Sequence, residues 1–236
     1  MNLKTADSET RVKELTEELE SLSYSISHDL RAPLRAISGF SRILLKDYAD
    51  RLDPEGRELL QMVHESGRNL NSMIEALLAY SRVERRALSV SELNMEALAD
   101  EQIAAFRSKT PQRNIRFVRN RFAPAAGDRD LIRQALACLI ENAVKFTRIR
   151  VEAVIEIGCE PDTGSIRYHV RDNGVGFDPE HSGRLFGMFQ RLHSSELYEG
   201  VGGGLAIARR IVQRHGGRIW AEAKPDGGAT FYFVLG

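Results

Sequence analysis

Two groups of residues in this sequence could do chemistry, and the first is the pair His28 and Asp29 in the segment Ser25–Leu34. A neutral imidazole can act as a nucleophile, and a neighbouring carboxylate can fix its tautomer and stabilise its cationic form. Pro33 removes a backbone donor and crowds the carbonyl of Asp29, so a helix through this segment should bend or loosen there. The alternative is a surface histidine on an amphipathic helix with a proline kink.

The second group is three glycine clusters, Asp172–Gly176 after a predicted strand, Gly200–Leu205 at a predicted helix start, and Gly228–Thr230 at a strand start. Glycines let backbone N–H groups approach phosphate oxygens, and a helix N-terminus adds a favourable dipole. One such loop is often only a turn. Three clusters with the upstream segment Asn142–Phe146 are harder to assign to chance and indicate a phosphate-binding site.

Long helices must position the histidine. Apolar residues recur at steps of three and four from Val12 to Ile26, as in a coiled-coil seam, and resume after Pro33. Asp53 and Pro54 predict the N-cap and first position of a second helix with the apolar face Leu59, Val63, Ser66, Leu70, Met73, Leu77 and Tyr80. One such hairpin cannot cover both apolar stripes, so two copies are expected to form a four-helix bundle. A purely structural coiled coil is the alternative, and it leaves the His-Asp step unexplained.

An α/β domain must position the glycines. Helical register is lost after Arg85, which predicts a first domain over residues 1–87 and a second over residues 88–236. Helices are predicted from Asn94 to about Ser108 and after an N-cap at Asp128. The predicted strands are Ile115–Val118, Val151–Cys159, Ser165–Arg171, Arg218–Glu222 and Ala229–Val234, with a turn at Pro161–Gly164. Together they predict a mixed sheet with helices on one face.

Composition excludes several other classes. The 236 residues contain 33 Lys plus Arg and 33 Asp plus Glu, so no bulk charge favours nucleic acid or an anionic membrane as partner. Cys138 and Cys159 have neither disulfide-framework nor zinc-site spacing, and a reducing cytoplasm fits best. The sequence contains no apolar run long enough for a membrane span, and its N-terminus lacks the apolar core of a signal peptide. A helix that starts in heptad register near residue 1 suggests a piece of a longer protein.

Over nearly its full length the chain resembles the sensor histidine kinases, and it looks most like the kinase modules of bacterial phytochromes. The resemblance rests on five motifs in the family's order, which are the H-box Ser27–Leu34, the N-box Glu141–Thr147, the G1 box Asp172–Gly176, the F-box Leu185–Phe189 and the G2 box Gly200–Leu205. It implies an ATP-binding α/β sandwich of the kind shared with gyrase, Hsp90 and mismatch-repair ATPases.

The resemblance also implies a function in two-component signal transduction. The chain would be a homodimeric, ATP-dependent protein histidine kinase core that phosphorylates His28. It would then pass the phosphoryl group to an aspartate in the receiver domain of a response regulator. An N-terminal sensor domain, absent from this chain, would control it.

Site roles follow from the same resemblance. His28 would be the phosphoacceptor, and Asp29 would orient its ring and take its proton, with ATP and magnesium as cofactors. The loop from about Asp178 to Gly202 would be a mobile lid anchored by Phe186 and Phe189. The nucleotide-binding residues would be Asn142 as the magnesium ligand, Lys145 near the phosphates, Phe146 near the nucleoside, Asp172 as acceptor from the adenine amino group, Gly174 and Gly176 shaping its pocket, Gly200, Gly202, Gly204 and Leu205 in the G2 box, and Thr230 near adenine.

Four positions depart from the family's pattern. Cys138 stands where these kinases often carry Asn and where gyrase-like ATPases carry a water-activating Glu. Glu141 does not substitute, because it is adjacent to Asn142 and adjacent helix positions point about 100° apart. This argues against an ATP hydrolase clamp. Ala32 replaces a residue that aligns water, so weak phosphatase activity is expected. Val201 and Gly203 alter the G2 box, and with Cys138 they motivate a second hypothesis, a degenerate dimeric nucleotide-binding scaffold that docks a regulator.

Other polar residues carry weaker signals. The remaining histidines show no ligand spacing, so a structural or solvated role is expected for His64, His169, His181, His193 and His215. Arg184 and Arg191 are either phosphate contacts or solvated charges of the lid.

Overall fold

The computed structural model describes residues 25, 29–162, 164–192, 198 and 200–236. His28 and the heptad segment Val12–Leu22 therefore lie outside the described residues. The chain divides into two compact units, Met1–Arg82 and Val83–Gly236. In the part that the structure describes, no helix has the length and apolarity needed to cross a membrane.

The first unit is a helical hairpin. Helix α1 covers residues 29–47 and continues through Pro33. A short 3-10 helix, Ala49–Arg51, leads to α2, Pro54–Arg85. The predicted N-cap is confirmed, because the Asp53 carboxylate accepts a hydrogen bond from the Gly56 N–H at 2.7 Å.

The hairpin buries only a narrow seam between its two helices. Leu34 packs with Ile74 and Leu78, and the Ser41 hydroxyl lies 3.0 Å from His64 Nδ1. The large apolar side chains left exposed are Leu30, Ile37, Phe40, Ile43, Leu44 and Tyr48 before the turn and Leu59, Met62, Val63 and Leu70 after it. Within the residues that the structure describes, both predicted apolar stripes therefore remain largely uncovered in one chain.

The last turn of α2 belongs to the second unit. Val83 is buried, Glu84 forms an ion pair with Arg210, and Arg214 donates to the Val83 carbonyl. These contacts lie inside the second unit and explain why it begins at Val83, a few residues before the predicted position.

The second unit contains two sheets. A five-stranded mixed sheet has the order β2-β4-β5-β7-β6, with β2 and β4 parallel and the other pairs antiparallel. Its strands are β2 Ile115–Arg119, β4 Ala153–Asp162, β5 Ser165–Asp172, β6 Arg218–Lys224 and β7 Gly228–Val234. A two-stranded sheet pairs β1, Val90–Leu93, with β3, Ala125–Asp128, and the sequence did not predict it.

Three helices cover one face of the mixed sheet. They are α3 Met95–Lys109, α4 Arg129–Phe146 and α5 Gly204–Arg214. Helix α4 lies between the other two and packs on β4 and β5. The predicted cap at Asp128 is confirmed, since its carboxylate accepts from two N–H groups of α4. Asn94, predicted only as the start of a helix, also caps α3 by accepting from the Ala97 N–H. The predicted mixed sheet with helices on one face is confirmed.

The predicted turn between β4 and β5 is too long. Pro161 and Asp162 are paired with Ile166 and Ser165, so the strands extend to the tip of the hairpin. Gly164, with a φ of 85°, permits this tight connection because glycine has no Cβ to disfavour positive φ.

The described histidines of this unit include two with structural partners. His215 is buried, and its ring nitrogens contact the Asp128 N–H at 2.9 Å and the Ile211 carbonyl at 2.7 Å. His169 is buried on β5, where it lies 3.3 Å from a Glu156 oxygen. These contacts join elements of the fold.

Candidate nucleotide-binding site

Asp172 ends β5 as a buried carboxylate with one oxygen in use. Its Oδ1 accepts a hydrogen bond from the Gly174 N–H at 2.8 Å, whereas its buried Oδ2 has no hydrogen-bond partner among the described residues. Burial raises the pKa of Asp172 to about 6, against the lowering effects of the backbone N–H groups of Gly174 and Ala229 and the charge of Arg150. A buried acceptor without a donor is costly unless a ligand supplies the donor.

The G1 box glycines allow backbone segments to touch. A Cβ at Gly176, where φ is 63°, would lie 2.0 Å from the Lys224 carbonyl oxygen. A Cβ at Gly228, where φ is 83°, would lie 2.0 Å from the Asp172 carbonyl oxygen. A Cβ at Gly174 would lie 2.6 Å from the Phe146 carbonyl oxygen. These glycines bring β5, the β6–β7 turn and the end of α4 together around Asp172.

Positive charge gathers at the C-terminal end of α4. Lys145 Nζ lies 4.3 Å from the centre of the Phe146 ring. A Cβ at Gly200 would lie 3.8 Å from the same Nζ. Burial and then the nearby charge of Arg191 lower the pKa of Lys145, while Glu141 acts in the opposite direction. Lys145 and Arg191 repel each other, and a bound anion would relieve this repulsion, so the arrangement suits a site that receives an anion.

Aromatic side chains close the same region. The Tyr198 and Phe146 rings are 4.9 Å apart, and Arg191 donates to the Tyr198 carbonyl at 2.6 Å. The structure therefore brings Lys145 close to Gly200 of the G2 box and Phe146 close to Tyr198, and the roles assigned to Lys145 and Phe146 stay predictions.

Cys138 lies one helical turn before Asn142 on α4. A Cβ at Gly204 would lie 3.8 Å from its sulfur. Burial, and then the charge of Glu141, raise the pKa of the Cys138 thiol to about 12. A thiol that stays protonated at pH 7 neither ligates magnesium nor activates water.

The chemistry of the donors restricts the magnesium site. Among the described residues, no group of three or more His, Cys, Asp and Glu side chains could hold a metal ion. The half-buried Asn142 offers an amide oxygen, a hard donor of the kind that magnesium accepts together with phosphate oxygens and waters. The residues present fit a metal ion that is held mainly by the nucleotide.

The F-box packs through one of its two phenylalanines. Phe186 is 9% exposed and lies edge-on to Phe231, with 6.4 Å between ring centres. Phe189 is 37% exposed, so its side chain is less buried than that of Phe186, and its role in anchoring the lid stays a prediction. Its φ is 60°, and its N–H donates to the Gly202 carbonyl at 3.0 Å. The lid residues 193–197 and 199 lie outside the described residues.

The rest of the G2 box also depends on close packing. A Cβ at Gly202 would lie 2.4 Å from the Gln190 carbonyl oxygen, and Gly204 and Leu205 form the first turn of α5. Leu205 is half-buried there.

Thr230 is not brought to this site. It is paired with Arg171 across β5 and β7, whereas Ala229 is paired with Asp172. Neighbouring residues of a strand point to opposite faces of a sheet, so Thr230 lies on the face opposite Asp172. Its hydroxyl accepts from Arg171 Nε at 3.2 Å. The residue of β7 on the same face as Asp172 is Ala229, so the structure does not bring the Thr230 side chain to the position expected for an adenine contact.

The sequence reasoning missed two arginines that fasten the site. Arg150 donates to the carbonyls of Asn173, Gly174 and Asp226. Arg113 donates to the carbonyl of Val144 at 2.5 Å and to that of Thr147 at 3.0 Å, at the end of α4. Both act across long sequence separations on backbone atoms, for which no motif or spacing gives a signal.

Comparison with known proteins identifies both units. Residues 8–86 match the His Kinase A (phospho-acceptor) domain. Residues 127–236 match the family of histidine kinase-, DNA gyrase B- and HSP90-like ATPases. The chain belongs to the histidine kinases.

Relatives of this kinase core include phytochromes. Cyanobacterial phytochrome A from Nostoc sp. is 34% identical over 218 residues, which cover 92% of this chain and 28% of that protein. The phytochrome-like protein Cph1 from Synechocystis sp. is 28% identical over 218 residues, which cover 92% of this chain and 29% of that protein. The chain thus spans less than a third of the length of these relatives.

Two solved kinase structures resemble this core. Full-length ShkA in complex with AMPPNP has a TM-score of 0.65 and 26% identity, covering 91% of this chain and 45% of that one. The histidine kinase ThkA in complex with the response regulator protein TrrA has a TM-score of 0.64 and 26% identity, covering 100% of this chain and 66% of that one.

Proposed function

We propose that this chain is the catalytic core of a two-component sensor histidine kinase that binds ATP, phosphorylates His28 and passes the phosphoryl group to a response regulator. The observation that carries ATP binding is the buried Oδ2 of Asp172, which has no hydrogen-bond partner among the described residues. An adenine amino group would donate to this oxygen. ShkA, a related kinase, binds the ATP analogue AMPPNP.

The second unit would hold ATP from both ends. Asp172 would accept from adenine, and Phe146 would lie beside the nucleoside. Lys145, whose pKa is lowered first by burial and then by Arg191, would be paired by the phosphates. Asn142 would hold magnesium, which supplies charge neutralisation of the phosphates when bound.

The first unit would supply the nucleophile. A ring nitrogen of His28 would attack the γ-phosphorus, the bond to the β–γ bridging oxygen would break, and ADP would leave. Asp29, exposed near the start of the described part of α1, would orient the imidazole and accept its proton. Phosphoryl transfer has a loose transition state, so alignment and charge neutralisation supply most of the catalysis.

Two further partners belong to this proposal. A second copy would cover the exposed apolar side chains of α1 and α2 in a four-helix bundle. A response regulator would accept the phosphoryl group on an aspartate, as suggested by the complex of the related kinase ThkA with the regulator TrrA. Both cysteines are free thiols, which suits a reducing compartment such as the cytoplasm.

Labelled ATP tests the phosphoacceptor directly. The chain incubated with γ-labelled ATP and magnesium should form an acid-labile, base-stable phosphoprotein, because a phosphorylated imidazole is hydrolysed in acid. His28→Gln should remove the label and retain ATP affinity, since the nucleotide site lies in the other unit. The matched control is His64→Gln, a half-buried position of α2 where glutamine can keep a hydrogen bond to the Ser41 hydroxyl, and this protein should label normally.

Equal labelling of the His28→Gln protein would refute the phosphoacceptor assignment. A wild-type chain that binds ATP without labelling would instead support the degenerate scaffold, which the protonated Cys138 thiol favours because it gives magnesium no ligand. Sustained release of free phosphate by the His28→Gln protein would support an ATP hydrolase.

A further inference from the structure

Arg150 lies in the connection between α4 and β4 and binds three backbone carbonyls. Its Nε donates to the Asn173 carbonyl at 2.8 Å. Its terminal nitrogen donates to the carbonyls of Gly174 and Asp226, each at 2.9 Å. A guanidinium has donors in a fixed planar fork, so these contacts fix the position of one carbonyl relative to the next.

Two of the three carbonyls belong to the residues that directly follow Asp172, and the third lies in the β6–β7 turn. Gly174 uses its N–H for Asp172 Oδ1 at 2.8 Å and its carbonyl for Arg150. Asp226 lies in the β6–β7 turn, and its N–H donates to the Val175 carbonyl at 2.7 Å. Arg150 therefore links the G1 loop to the β6–β7 turn.

The side chain of Asn173 makes other hydrogen bonds, and its backbone carbonyl accepts from Arg150. Its amide oxygen accepts from the Val154 N–H at 2.9 Å, and its amide nitrogen donates to the Glu152 carbonyl at 3.1 Å. The Asn173 side chain thus connects the G1 loop to the start of β4. Arg150 connects the same loop to the β6–β7 turn.

We infer that Arg150 is a positioning residue for base recognition, which holds Asp172 Oδ2 as an ionised acceptor aimed at the adenine amino group. This inference rests on the proposed ATP-binding function. In this role Arg150 contacts neither adenine nor phosphate. It acts on Asp172 through the position of the G1 loop and through its positive charge.

Charge supplies the second part of the effect. Oδ1 is occupied by the Gly174 N–H, so a proton on Asp172 would sit on Oδ2 and turn the acceptor into a donor. Burial raises the pKa of this carboxyl to about 6, against lowering effects of the Gly174 N–H, then of the Ala229 N–H on β7, and last of the positive charge of Arg150. Loss of Arg150 should therefore raise the pKa further and place more of the carboxyl in its protonated form near neutral pH.

The test compares nucleotide affinity in three variants by equilibrium titration with magnesium-ATP and magnesium-GTP between pH 5.5 and 8. Arg150→Gln removes the fork and the charge, and Arg150→Lys keeps the charge without the fork. Arg116→Gln is the control, because Arg116 forms an exposed pair with Glu152 at 3.2 Å in the same region.

In the wild type, ATP affinity should fall as the pH drops through about 6, the pKa of Asp172. Arg150→Gln should bind ATP about tenfold more weakly at pH 7, as expected for lost charge-assisted hydrogen bonds. Its ATP affinity should begin to fall at a higher pH, and its preference for ATP over GTP should shrink. Arg150→Lys should lose affinity while keeping the wild-type pH midpoint, and Arg116→Gln should match the wild type.

Two results would overturn the inference while ATP binding by the wild type stands. One is an Arg150→Gln protein with unchanged ATP affinity, pH midpoint and base preference. The other is an equal loss of ATP and GTP binding with an unshifted midpoint, which indicates structural damage alone. Failure of the wild type to bind ATP would instead reject the proposed function. If Arg150→Gln does not fold, Arg150→Lys still decides through the ATP:GTP ratio, which should fall.

Discussion

At the scale of single residues, folding and the proposed ATP binding favour different protonation states of Asp172. Burial favours the protonated carboxyl, whereas an adenine amino group needs an ionised acceptor. It is 4% exposed, and burial raises its pKa to about 6 from an ordinary 3.8. The folded state therefore holds this proton more tightly than the unfolded state does. Stability from this group is complete below about pH 4 and is lost as the pH rises to about 6, by an amount on the order of 3 kcal/mol.

Asp172→Asn should separate these two effects. The amide oxygen can still accept from Gly174, no charge is buried, and the amide nitrogen presents donors to adenine, so ATP affinity should fall at least about 100-fold. Urea unfolding at pH 4 and pH 7 measures the stability effect. The free energy of unfolding of the variant, relative to the wild type, should rise between these pH values by up to about 3 kcal/mol. A difference that does not change with pH would contradict a buried, ionised Asp172.

Sequence analysis could predict residues that carry a motif, and it could not predict the residues that hold a motif in place. Asp172 is marked by its spacing to two glycines. Arg150 contacts a turn 76 positions away, and its partners are carbonyls, which every residue has. Thr230 shows a different limit, because a shift of one residue in a strand exchanges the two faces of the sheet.

At the scale of elements, Gly228 shows why the strands meet closely at the site. Gly228→Ala should be severely destabilising for two reasons. The new Cβ would lie 2.0 Å from the Asp172 carbonyl oxygen, and the backbone at this position has a φ of 83°. Gly164 is a matched control, with a φ of 85° and no atom within 4 Å of a Cβ. Gly164→Ala should cost about 1–2 kcal/mol, the penalty for a left-handed residue, and Gly228→Ala clearly more. Urea unfolding measures both, and equal losses would show that overlap is not the cause.

Helices and long strands were easier to predict than short strands. Asp128 and Asn94 mark helix starts through a local mechanism, the capping of free N–H groups, and both caps form. Strands β1 and β3 have four residues each, and β3 is Ala-Ala-Gly-Asp, which has low β-propensity. Their pairing depends on tertiary contacts, which the sequence pattern alone does not reveal.

At the scale of the whole molecule, exposed apolar side chains on the hairpin predict association of two copies. Phe40 is 68% exposed on α1, and Phe40→Glu would place a charge in the proposed bundle, where burial of an unpaired charge is costly. Light scattering after size-exclusion chromatography should show a dimer for the wild type and a monomer for this variant. Val151→Glu is the control, because Val151 is 96% exposed in the second unit, and it should remain dimeric. A Phe40→Glu protein with unchanged mass would argue against this interface.

The position of β7 has a consequence for the synthesis of the protein. β7 is the last strand along the sequence, yet it lies inside the sheet between β5 and β6. While the ribosome is still adding Gly228–Val234, β5 has an open edge, and an unpaired edge is a template for pairing with another chain. The G1 loop also lacks its Ala229 contact until then. The nucleotide pocket is therefore completed only after the last strand has emerged from the exit tunnel.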